Sequence, residues 1–156
     1  MKGAIMVGVV MLVGAPLHAA TPSETESVAS SIASFVDAVN RGDAARAFAH
    51  LAGDVSITED LAPFRWHGAG AGSDWLTAMQ KNGERMGISD IQMKLGLPLQ
   101  VLVEGDRAYE AVPGMVTLKG PTQTLHETGI LTFTLQKVRG YWQIETFAWG
   151  GAAAAP

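Results

Sequence analysis

The sequence has no cysteine among its 156 residues. That excludes a disulfide framework, a cysteine nucleophile, a thiolate metal site and a lipid-modified N-terminal cysteine. Stability must come from packing alone. Basic runs are also missing: 11 Lys and Arg stand against 15 Asp and Glu, for a net charge of −4. A phosphate backbone needs a positive footprint, so no nucleic-acid partner is expected. Charged residues are only 17% of the chain and hydrophobic ones 47%, which excludes wholesale disorder. No apolar run is long. Ala4 to Val13, interrupted only by Gly8, is about half of the roughly 20 residues a spanning helix needs. No stable membrane anchor is expected.

That short apolar run has a different use. Met1-Lys2 supplies a positive start, and Gly14-Ala15-Pro16 breaks any helix. Leu17-His18-Ala19-Ala20 ends in small residues. This is the layout of a secretory signal peptide over residues 1–20, cleaved after Ala19 or Ala20. The mature protein is expected to be periplasmic or secreted.

The domain is expected over residues 21–150, followed by a small apolar tail at 151–156. Ser23 is placed to cap a helix whose first turn carries Glu24 and Glu26. Val28, Ile32, Phe35, Val36 and Val39 form its apolar stripe. Asp43 caps a second, shorter helix through Leu51. Val55, Ile57 and Glu59 alternate with Ser56, Thr58 and Asp60, which predicts a strand. His67 to Gly72 reads as a glycine loop, and Ser73 as the cap of a third helix. From Ile88 onward the pattern is strand after strand. Ile91–Leu95 and Leu99–Glu104 read as one strand kinked at Gly96-Leu97-Pro98. Ala108–Lys119, with a bulge or bend at Pro113-Gly114, Gln123–Val138 and Tyr141–Trp149 complete an antiparallel meander. Helices followed by a meander make an α+β layout. A long twisted sheet curls, so helices packed against it leave a cone with a cavity at the wide end.

Phe35-Val36-Asp37-Ala38-Val39-Asn40-Arg41-Gly42-Asp43 and the closing Lys137-Val138-Arg139-Gly140-Tyr141-Trp142-Gln143-Ile144 resemble segments of the NTF2-like superfamily, in its SnoaL-like branch. The resemblance extends in element order from Ser23 to Trp149. It implies a curved antiparallel sheet wrapped around about three helices. The superfamily includes isomerases, dehydratases, epoxide hydrolases, polyketide cyclases and pure binding modules, so the fold does not fix the function. Set beside its ketosteroid isomerase branch, this chain has Phe35 where an oxyanion tyrosine would stand. Glu59 or Asp60 matches the base, and Leu131 or Thr132 replaces the second oxyanion acid. A base without oxyanion donors lacks the dominant catalytic term.

Candidate site residues follow from strand parity. Glu59 shares a face with Val55 and Ile57, so it points inward if they do, and burial would raise its pKa into a useful range for acid–base work. Glu127 interrupts the otherwise apolar face of Leu125, Leu131, Phe133 and Leu135. His67, beside the glycine loop, joins them as a candidate catalytic group. Trp66, Asp60, Tyr109, Trp149 and Phe35 are candidate ligand contacts. Trp75, Trp142 and Phe147 read as core. His50, His67 and His126 have no ligand-like spacing, so no metal site and no cofactor are expected. The glycine loop lacks the ending of a phosphate cradle. The expected partners are a small-molecule ligand and a second copy of the chain, paired through the sheet face of Ile130, Thr132 and Thr134. Two functions fit: a module binding a small apolar or flat molecule without catalysis, or a lyase, isomerase or hydrolase using Glu59 as general base.

Overall fold

A computed structural model describes residues 22–152. The leader assigned to residues 1–20 and the tail from Ala153 lie outside the described residues.

Helix α1 (Pro22–Asn40) starts on a proline, which lacks the N–H that a first helical turn cannot bond anyway. Its stripe of Val28, Ile32, Phe35 and Val36 is buried. Helix α2 (Ala44–Ala49) is capped by Asp43, whose side chain accepts the Arg46 N–H at 3.0 Å. Strand β1 (Leu51–Thr58) begins at Leu51 rather than at Val55. The His50 carbonyl accepts the Ile144 N–H at 2.8 Å, so the sheet captures the chain as soon as α2 ends. A register irregularity between Leu51 and Ser56 absorbs the Gly53-Asp54 stretch.

β2 (Arg65–His67) pairs with β1 and is followed by α3 (Ala71–Met86). This helix starts before the expected Ser73 cap and takes in Gly72. A Cβ on Gly72 would stand 2.8 Å from Leu51 Cδ1 and 3.1 Å from Phe48 Cδ1. The glycine therefore serves close helix packing, not a loop bend.

The remaining strands are β3 (Asp90–Leu95), β4 (Gln100–Glu104), β5 (Arg107–Lys119), β6 (Thr124–Val138) and β7 (Tyr141–Gly151). β3 and β4 pair with successive halves of β5, as the kinked-strand reading expects. β5 itself runs unbroken along β6 through Pro113. The Pro113 carbonyl accepts from Gly96 on the β3 side at 2.8 Å. The N–H that proline lacks would point to that same side, where the edge strand is interrupted.

The sheet order is β2-β1-β7-β6-β5-β3, with β4 also on β5. It is mixed rather than wholly antiparallel, because β1 runs parallel to β7. No hairpin joins those two strands, so nothing forces them to oppose. In β7 an extra residue, Glu145, falls where the register shifts between Thr134↔Thr146 and Leu135↔Ile144. This bulge turns Ile144 and Phe147 to the same buried side. The concave side of the sheet, with Val55, Ile57, Leu131, Phe133 and Leu135, carries the core against the helices.

The edge strand β3 is covered by α1. Asn40 Nδ2 donates to the Met93 carbonyl and its Oδ1 accepts the Met93 N–H, both at 2.8 Å. One side chain thus stands in for a missing neighbouring strand. Asn40→Ala is expected to lower stability by about 1 kcal/mol, read as a shift in urea midpoint with unchanged slope.

Candidate functional site

The C-terminal half of α1, the helix α3 and the curled ends of β5, β6 and β7 do not close on each other. They enclose a cavity of about 710 Å³. Its floor is concave-face side chains of the sheet: Val116, Glu127, Leu131, Phe133, Phe147 and Trp149. The helices supply Phe35, Val39, Trp75, Leu76 and Met79, and the chain just past β1 supplies Glu59, Asp60 and Leu61.

The inner wall is aromatic. The rings of Phe35, Trp75 and Phe147 lie with centroids 5.4 Å (Phe35–Phe147) and 5.1 Å (Trp75–Phe147) apart, and Phe133 is 6.1 Å from Phe147. Such a wall is rigid and apolar, suited to a flat ligand.

Glu59 follows directly on β1 and keeps the parity of Val55 and Ile57, which are buried at 3% and 0% exposure. That parity turns it inward and half-buries it, while Asp60 is exposed. Glu59 Oε2 accepts the indole N–H of Trp75 at 2.6 Å. Among the described residues its Oε1 has no donor. Burial pushes its pKa up; the Trp75 hydrogen bond opposes this, and the charges of Asp60 and Glu127 add to the rise. All three carboxyls line the cavity, and Glu127, like Asp60, is exposed. Among the described residues lining the cavity there is no lysine, arginine or histidine.

Five of the residues singled out from sequence are thus brought together: Phe35, Glu59, Asp60, Glu127 and Trp149. Three lie elsewhere. Trp66 is buried beside Ile57, its partner across β1 and β2. His67 is half-exposed, 3.5 Å from Asp54. Tyr109 sits on the sheet face opposite to buried Ala108 and Glu110. Two residues carry more than the sequence reading gave them. Trp75 is the hydrogen-bond donor that holds Glu59 as well as a core ring. Glu110 is a carboxyl at 2% exposure whose Oε2 has no partner. Its signal was available: it is the acid on the Ala108–Val112 parity of β5.

No protein-family model matches the sequence, and no curated protein matches it. Solved structures do. A nuclear transport factor 2 (NTF2-like) superfamily protein from Salmonella enterica serovar Typhimurium LT2 superposes with a TM-score of 0.70 at 18% identity, covering 88% of this chain and 96% of that one. The chain has the NTF2-like fold. An NTF2-like protein with a cystatin-like fold from Novosphingobium aromaticivorans gives 0.70 at 16% identity, covering 85% of each chain. A ketosteroid isomerase-like protein from Erwinia carotovora atroseptica gives 0.68 at 14%, covering 86% of this chain and all of that one. At such identities the NTF2-like likeness speaks for architecture, and the chemistry has to be argued from the cavity.

Proposed function

We propose that the protein binds a small, largely apolar molecule bearing a flat ring, held in the cavity and oriented by Glu59. The observation that carries this reading is the aromatic-walled cavity itself: a preformed concave apolar space with few polar groups is the usual form of a small-molecule site. The leader-like first twenty residues support an exported setting for that binding.

A second reading is favoured by the raised pKa of Glu59, which suits a general acid or base. It is the weaker one. Phe35 and Leu131 line the cavity, and neither side chain can donate a hydrogen bond to an oxyanion. Any oxyanion would have to be stabilised by other lining donors, such as Asn40, Ser73 or Gln80.

The test is occupancy of the cavity. Nile red, a neutral apolar dye, is expected to bind saturably with one site per chain. Val116 is half-buried on the cavity floor. Val116→Trp fills space rather than opening it, and should weaken the dye at least about tenfold while leaving the thermal midpoint nearly unchanged. Equal dye binding by both proteins would remove the cavity as the site.

A further inference from the structure

The sign of the charge around the cavity selects among apolar ligands. Glu59 is the innermost carboxyl. It keeps one oxygen on the neutral Trp75 N–H at 2.6 Å and has no cation beside it. Asp60 and Glu127 line the same cavity, and their charges raise its pKa further. An anionic ligand would bring a negative group against the half-buried Glu59 carboxylate, with no cation in the cavity lining to offset the repulsion. A neutral ligand would leave Glu59 Oε1 without a charged partner. Among the described residues no three His, Asp or Glu side chains are grouped closely enough to hold a metal ion. The counter-charge that fits is one carried by an organic molecule.

We propose that the ligand is a lipophilic amine: a protonated nitrogen on an apolar, ring-bearing body. This rests on the binding reading above. The ammonium donates to Glu59 Oε1, with the charges of Asp60 and Glu127 adding attraction. The hydrocarbon body lies against Phe35, Phe147 and Trp149, whose ring faces also favour a nearby cation. A charge-assisted hydrogen bond to a half-buried carboxylate is the stronger kind, and it gives the pocket both orientation and selectivity.

Three probes of nearly equal shape separate the possibilities: 2-naphthylmethylamine, 2-naphthalenemethanol and 2-naphthoic acid, titrated calorimetrically at pH 8. The amine is expected to bind about tenfold more tightly than the alcohol, and the acid most weakly. In Glu59→Gln, whose amide oxygen can still accept the Trp75 N–H, the advantage of the amine over the alcohol should largely vanish. Wild-type protein that binds the alcohol as well as the amine, or the acid best, would overturn the amine proposal and leave the binding reading standing. Protein that binds none of the three would overturn the binding reading, and the amine proposal with it.

Discussion

Gly129→Ala is expected to destabilise the protein by about 3 kcal/mol, because among the described glycines an added Cβ makes its closest approach here. A Cβ at Gly129 would stand 2.4 Å from the Gly150 carbonyl and 2.8 Å from two carbons of the Trp149 indole. The indole can shift aside, but Gly150 is backbone in the partner strand β7, where it pairs with Ile130. Relief therefore requires the end of β7 to separate from β6. The position opposite is Gly114, and a Cβ there would meet Leu131 Cδ1 at 3.0 Å and Trp149 Cζ3 at 3.1 Å. Trp149 thus lies across a cross-strand pair of glycines, and the bare backbone beneath lets it sit flat as a wall of the cavity. Gly114→Ala meets side-chain atoms only and should cost less than half as much. Urea unfolding of the two variants checks the order, and Nile red titration of Gly129→Ala should show weakened binding as Trp149 shifts. A Gly129→Ala protein as stable as wild type would show that the indole does not rest there.

The helices and strands were legible because their apolar periods are clean. Val28, Ile32, Phe35 and Val36 repeat at helical spacing and are buried as a stripe. Strand parity carried Glu59 into the cavity, because Val55 and Ile57 sit on the buried side with little ambiguity. The parity of Leu131, Phe133 and Leu135 did the same for Glu127. What parity cannot show is a partner far along the chain. Trp75 reads as a core ring on α3, and its bond to Glu59 exists only because α3 folds back over the end of β1. The parallel pairing of β1 with β7 is equally non-local, since nothing in either strand encodes its direction. Gly72 misled because close packing and chain reversal both call for glycine. The switch of buried positions in β7 from Trp142 and Ile144 to Phe147 and Trp149 is different: that change of parity was in the sequence, and it marks the Glu145 bulge.

Replacing Glu110 with methionine is expected to stabilise the protein at neutral pH, by an amount that depends on pH in one direction. Glu110 lies on β5 between Val101 of β4 and Phe133 of β6, on the buried face with Ala108 and Val112. Its side chain is 2% exposed and Oε2 has no hydrogen-bond partner. Burial pushes its pKa from the usual 4.5 up to about 6, with no neighbouring charge contributing. The folded state therefore holds the proton more tightly than the unfolded chain does. Stability from this group is full below pH 4.5 and declines as pH rises through about 6, a loss of about 2 kcal/mol by pH 7. Methionine has a similar unbranched reach and nothing to ionise. The stability difference between Glu110→Met and wild type, from urea unfolding at a series of pH values, should grow by about 2 kcal/mol between pH 4 and pH 7. Taking the difference cancels Glu59, whose raised pKa acts in the same direction in both proteins. A difference that stays flat across that range would mean that the Glu110 carboxylate is solvated or paired in the folded protein. A methionine variant weaker than wild type at pH 7 would mean that the carboxyl is needed where it stands.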